Sequence, residues 1–146
     1  MKKWHAQIIS HTHWDREWYL NSKYTTEWLV PFFDQLFAMF EREPEYQFVL
    51  DGQMLMVDDY IEELKKAGKP VYQYKQKLKK FAREGRLHIG PYYLQPDWQL
   101  LSEEALVRNL TVGLKKASEY GPPMTTGWLL DNFGQISQTS QIHAEV

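Results

Sequence analysis

A chain of 146 residues, 43% apolar and 25% charged with a net charge of −2, has the make-up of one folded domain or part of one, which excludes disorder and any binding mode that needs a basic surface. It has no cysteine, which excludes a disulfide framework and a thiolate metal site, so a metal here is held by histidine and carboxylate. There is no apolar leader and no span of membrane length; the expectation is a cytoplasmic protein without a membrane or nucleic-acid partner.

The first element is a β-branched run at residues 6–10, AQIIS, that leads into His11. Residues 26–43 then read as a helix, with Leu29, Phe33, Leu36, Phe37 and Phe40 at helical spacing, Thr26 as its N-cap and Pro44 just past its end. Pro31 falls within the first turns, where it is tolerated. A second strand, 47–50, ends in Asp51-Gly52. A helix follows to about Lys66, with Leu55, Ile61 and Leu64 inward and Gly68 as its stop. The next helix, 71–84, buries Tyr74, Leu78 and Phe81 and turns Lys75, Lys77, Lys79 and Lys80 to solvent. Strand 86–89 runs into the loop GPYYLQPD, 90–97. Ser102 caps a helix to about Tyr120, with Glu103 and Glu104 at its positive end. Residues 126–130 make a fourth strand ending in Asp131, and a last helix begins near Ser137.

Strand and helix alternate throughout, which predicts an α/β fold with a parallel sheet of βα units. Polar groups cluster just after the strands, at the carboxyl ends where such sheets and barrels keep their sites. Four units can form an open sheet but not a closed barrel, so the chain reads as a fragment of something longer.

The chemistry-bearing residues follow that placement. In an extended His11-Thr12-His13-Trp14-Asp15 segment, residues two apart share a face, so His11, His13 and Asp15 line up as imidazole and carboxylate donors suited to zinc. Asp131 stands before the turn-like Asn132-Phe133-Gly134, placed to ligate a metal, attack an anomeric carbon or cap the next helix. Asp51 and Asp97 bring carboxylates to the ends of the second and third strands. Trp14 and Trp18 flank the histidine motif, and Tyr92, Tyr93 and Trp98 flank Asp97; this clustering beside polar ends favours sugar stacking by one or two of them. Arg16, Gln53 and Gln95 are further polar groups within reach of sugar hydroxyls.

Four motifs, HTHWDREWY (11–19), VLDGQ (49–53), GPYYLQPD (90–97) and WLLDNFGQ (128–135), resemble the opening of glycoside hydrolase family 38. The likeness spans nearly the whole chain and is greatest to the bacterial branch, which includes hydrolases of mannosylglycerate. The resemblance implies the N-terminal portion of a seven-stranded parallel β/α barrel, with residues 1–146 forming part of an α-mannosidase catalytic domain. It implies one zinc ion, with cobalt or manganese as possible substitutes, held by His13, Asp15 and Asp131. Asp131 would double as the nucleophile that forms a covalent mannosyl intermediate, with Trp18 stacking on the sugar. Asp51 and Asp97 are expected to bind substrate, and His11 to support the ligands from a second shell. A downstream histidine ligand and the general acid of the family have no counterpart here; His143 comes too early to be that ligand. The implied partners are a mannoside or mannosyl solute, the remainder of the polypeptide, and a second copy of the chain in a homo-oligomer.

Two other classes compete. Metal-dependent amidohydrolases and related phosphoesterases carry His-x-His after a first barrel strand, but they need His or Lys at later strand ends, where this chain has Asp51, the Pro91 loop and Asp131. A non-catalytic carbohydrate-binding protein would keep the aromatic residues but has no need of Asp131 beside a metal.

Overall fold

The computed structural model describes residues 3–146. After an extended N-terminal stretch, a short helix α1 (Ser22–Thr25) and a 3-10 turn (Thr26–Trp28) lead into α2 (Leu29–Arg42), which is followed by β1 (Phe48–Val49), α3 (Leu55–Lys66) and α4 (Val71–Arg83). Then come β2 (Leu87–His88), a 3-10 turn (Trp98–Leu100), α5 (Glu103–Ala117) and α6 (Thr139–Glu145). None of the described helices is long and apolar enough to cross a membrane.

The centre is a parallel pair in which Phe48 lies opposite Leu87 and Val49 opposite His88. Phe48 N–H donates to Arg86 O at 2.8 Å and Leu50 N–H to His88 O at 2.9 Å, while Val49 N–H turns the other way to Ser10 O at 2.9 Å. Beyond β2, Met124 N–H donates to Ile89 O at 2.8 Å. Segment 6–10, β1 and β2 therefore lie side by side in chain order, and Met124, just ahead of the fourth expected strand, bonds to the other edge of β2. Only β1 and β2 form a ladder; 6–10 and 126–130, expected as strands, form none. Segment 6–11 touches β1 through a single bridge, His11 to Val49, and its Ile8 is 96% exposed. Without side chains packed over it, a lone edge has little to hold it in a ladder.

Side-chain alternation decides where the core sits. Phe48, Leu50, Leu87 and Ile89 point into one cluster with the faces of α2, α3 and α4. Within it α2 contributes Leu29, Phe33, Leu36, Phe37 and Phe40, the set its spacing predicts. Phe33 stacks on Tyr60 at 4.1 Å, and Phe40 lies 4.6 Å from Phe81. Arg86, at the start of β2, donates to the carbonyls of Phe40 and Glu43 (2.6 Å each) and Tyr46 (3.2 Å). A cation thus meets the negative end of α2 and ties it to the strand.

Local details differ from the expectations. Thr26 is not an N-cap: Asn21 caps the earlier turn by accepting from Lys23 N–H, and Thr26 is buried with its hydroxyl on Ser22 O and Glu63. In α3 the buried face is Met56, Val57, Tyr60, Ile61 and Leu64, and Leu55 is only partly covered. Ser102 does cap α5, accepting from Ala105 N–H.

The inward stripe of α5 is Leu106, Leu110, Gly113 and Ala117. A Cβ on Gly113 would run into the backbone of Pro91, Tyr92 and Tyr93. This glycine lets α5 lie directly against the loop that carries Gln95 and Asp97. We expect Gly113→Ala to destabilise the protein by about 2 kcal/mol, because overpacking against a backbone outweighs the gain in helix propensity of about 1 kcal/mol. Urea unfolding measures it, and a stabilised variant would mean that the helix does not press on the loop.

Candidate metal centre

Three chain turns meet at the carboxyl ends of the parallel segments. His13 and Asp15 come from the stretch after the first segment, Asp51 and Gln53 from the turn after β1, and Asp131 from the stretch after residue 124. Two of these carboxylates sit on left-handed backbone, Asp51 at φ 43° and Asp131 at φ 52°. Aspartate tolerates that region better than most residues, yet such outliers cluster where a side chain must be aimed. Gly52, at φ 64°, also makes room: a Cβ there would come within 2.8 Å of the Trp128 side chain. That close approach draws the segment ending in Asp131 toward the turn holding Asp51.

His13 is the hub. Its Nε2 lies 3.5 Å from Asp15 Oδ1 and 3.3 Å from Asp131 Oδ2, and its Nδ1 faces Asp51 Oδ1 at 3.6 Å. The side chains of His13, Asp15 and Asp131 are 36%, 44% and 61% exposed, whereas Asp51 is fully buried. They line a cleft of about 720 Å³ together with Trp18, Gln95, Asp97 and Phe133.

The buried side is tightly bonded. Asp51 Oδ2 accepts from Trp14 N–H at 2.6 Å and from Gln53 Nε2 at 2.8 Å, and Gln53 Nε2 also reaches Trp14 O at 2.9 Å. Gln95 Nε2 donates to the Asp51 carbonyl at 2.7 Å, and Asn132 Nδ2 to Pro96 O at 3.1 Å. Burial pushes the Asp51 carboxyl above its usual range, with the Trp14 and Gln53 hydrogen bonds and the neighbouring His13 pulling the other way.

Sequence expectations meet this geometry unevenly. His13, Asp15 and Asp131 converge as expected. Asp97 and Trp18 both reach the cleft, Trp18 70% exposed with its ring tilted against Tyr19 at 4.4 Å. Asp51, expected to bind substrate, lies at the floor of the cleft with its side chain fully buried and facing His13. His11 stands apart: its Nδ1 meets Thr12 O and its ring packs on Trp128, with no contact to His13, Asp15 or Asp131 among the described residues. Tyr92 and Trp98, candidates for sugar stacking, are core residues packed with Leu106 and Leu110. Arg16 forks onto Asp59 at 2.6 and 3.1 Å, and Gln53 is buried, so neither is free for sugar hydroxyls. Asn132 was not foreseen, although the Asp-Asn turn signal preceding Gly134 marks the spot.

The donor set fits a zinc ion better than the geometry completes one. Among the described residues no group of three or more His, Cys, Asp or Glu side chains is arranged to hold a metal ion as it stands. Yet two donors of a tetrahedral zinc, each bonded at about 2.0–2.1 Å, stand about 3.3 Å apart, and His13 Nε2 keeps 3.3 and 3.5 Å to the two carboxylates. Imidazole nitrogen and carboxylate oxygen are both zinc donors.

Comparison with known proteins extends over almost the whole chain. The model of the glycosyl hydrolases family 38 N-terminal domain matches residues 3–146. A protein of Halalkalibacterium halodurans named "Putative mannosylglycerate hydrolase" is 37% identical over 142 residues, 96% of this chain and 15% of its own length. Among solved structures, an alpha-mannosidase from Enterococcus faecalis V583 superposes with a TM-score of 0.82 at 36% identity, over 93% of this chain and 15% of that one. A protein in the glycosyl hydrolase family 38 from Enterococcus faecalis gives 0.74 at 32% identity, again over 93% and 15%. The chain thus spans about 15% of the length of each relative. With its fold and its sequence both shared from one end of the match to the other, the chain belongs to glycosyl hydrolase family 38.

Proposed function

We propose that this chain is the N-terminal part of the catalytic domain of a zinc-dependent α-mannosidase that retains configuration, with His13, Asp15 and Asp131 as metal ligands and Asp131 as nucleophile. The observation that carries the reading is the approach of Asp15 and Asp131 to the same nitrogen, His13 Nε2, at the mouth of an open cleft. Carboxylates brought together without a cation would repel; a divalent ion between them and the imidazole reverses the sign of that contact.

Bound there, zinc would keep Asp131 ionised and capture the cis 2- and 3-hydroxyls of a mannoside. This chain's own residues supply the rest of one half of the site. An Asp131 oxygen forms the bond to C1 as the bond from C1 to the leaving oxygen breaks. That electron pair stays on the leaving oxygen, which takes a proton from a carboxylic acid about 5 Å from Asp131. Water then adds to C1, gives its proton to the same carboxylate and frees Asp131. Trp18, exposed at the cleft, offers a flat face to the sugar, and Asp97 a carboxylate to its hydroxyls.

The acid and a fourth ligand belong to the remainder of the polypeptide, a proposal supported by relatives in which this region is about 15% of the length. The same support extends to the closed architecture, a seven-stranded barrel of which these four segments are the first. Ile8 and Ile9, 96% and 56% exposed beside β1, are apolar surface that further strands would cover. The relatives' names point to an α-mannoside, either a glycan or a small mannosyl solute such as mannosylglycerate.

Two outcomes test the reading on the whole protein. Removing metal with a chelator should abolish hydrolysis of an α-mannoside and zinc should restore it, while His13→Ala and Asp15→Ala should each weaken zinc binding by more than about 100-fold. Full turnover after complete metal removal would sink the ligand assignment. Asp131→Asn should lower kcat by roughly 10³-fold or more, as expected for loss of a covalent nucleophile; undiminished turnover would mean that another residue attacks.

A further inference from the structure

Asp51 is a carboxylate without any exposed surface, and only one of its oxygens is served. Oδ2 accepts two hydrogen bonds, from Trp14 N–H and Gln53 Nε2. Oδ1 is buried and has no hydrogen-bond partner. Leaving a charged oxygen in that state is costly, and native structures fill such positions. The group that faces it is His13 Nδ1, 3.6 Å away. At that distance there is no hydrogen bond; a movement of about 0.7 Å by the imidazole makes one of ordinary length. His13 is part-exposed at the cleft, while Asp51 is held by its two donors and by Gln95 on its carbonyl.

We propose that Asp51 is the positioning residue for His13: it accepts a hydrogen bond from Nδ1–H and thereby fixes the tautomer in which Nε2 carries a lone pair toward Asp15 and Asp131. This inference rests on the metal-site reading above and adds to it the part played by a residue that touches neither metal nor sugar. A neutral imidazole has one N–H and one lone pair, so an acceptor on one nitrogen dictates what the other presents. Hydrogen-bonding the distal nitrogen to a carboxylate also makes the ligating nitrogen a stronger base and orients the ring. The left-handed turn at Asp51-Gly52 has a physical purpose on this account, since it directs the carboxylate back under the imidazole.

Asp51→Asn in the whole protein discriminates the roles. The amide keeps the volume and an oxygen for Trp14 N–H, but it presents a donor to His13 Nδ1 and so favours the tautomer with Nε2 protonated. Zinc affinity, measured by competition with a chromophoric chelator, should fall by about 10- to 100-fold, with the absorption bands of the cobalt-substituted protein shifted and the thermal midpoint of the metal-free protein little changed. Wild-type affinity retained in the variant would overturn the proposal, whereas a wild type that takes up no zinc would instead overturn the metal-site reading. Nitrogen NMR of the histidines in the metal-free wild type is independent of both metal uptake and the variant's folding. Using His13→Gln to assign the signal, and at a pH where the ring is neutral, we expect its single proton on Nδ1; a neutral ring protonated on Nε2 instead would refute the role given to Asp51.

Discussion

The hydrogen bond from Trp14 N–H to the buried Asp51 carboxylate joins two pieces of chain that are otherwise only loosely connected. Segment 6–11 touches β1 through one bridge, and beyond it the backbone has no ladder to follow. The Asp51 carboxylate, with Gln53 bonded to both it and the Trp14 carbonyl, takes over where the sheet ends. Charge-assisted bonds from backbone N–H to carboxylate are short and roughly twice as strong as neutral ones. Residues on either side of Trp14 are therefore pinned, and these are His13 and Asp15. The donor atoms of the cleft inherit their spacing from a contact that lies beneath them.

Support from the other side comes through packing. α5 reaches the loop 90–97 because Gly113 has no side chain, and Asn109 clasps that loop by accepting from Leu94 N–H at 2.9 Å. The loop in turn carries Gln95 to the Asp51 carbonyl and passes Pro96 to Asn132, the neighbour of Asp131. A continuous path of contacts runs from a helix outside the sheet to both ends of the His13–Asp15–Asp131 cluster. Its members are mostly polar side chains bonded to main chain, which fixes positions without adding charge to the cleft.

Much of this was readable from residue order. The spacing of Leu29, Phe33, Leu36, Phe37 and Phe40 marks a helix because 3.6-residue periodicity is a local property, and the Ser102 cap is local too. His13, Asp15 and Asp131 could be singled out because strand ends in a parallel sheet share one edge, so position along the chain translates into position in space. What failed was whatever depends on a distant neighbour. Asp51 looked like a substrate ligand, since nothing in VLDGQ tells that Trp14 will bury it. Of the aromatic residues that could stack on a sugar or fill the core, Tyr92 and Trp98 fill the core, closed over by Leu106, Leu110 and His143; the Tyr92 hydroxyl lies 2.5 Å from His143 Nε2. Apolar runs at 6–10 and 126–130 announced strands, but periodicity cannot say whether a second neighbour is there to complete the ladder.

The gradient of exposure across the cluster follows from what a metal site that also binds substrate requires. A residue that holds others in place is best buried, but a buried carboxylate resists ionisation, and burial pushes Asp51 up. On the role proposed for Asp131, a carboxylate that attacks carbon has to stay reachable, which burial opposes. The chain separates these demands: Asp51 is fully buried and bonded, His13 is intermediate, and Asp131 is the most open at 61%. Order is supplied from below, through the bonds Asp51 makes to Trp14 and Gln53, so the open carboxylate does not itself carry the desolvation cost. The left-handed backbone at both aspartates is the local concession that lets two strand ends send their carboxylates to such different depths.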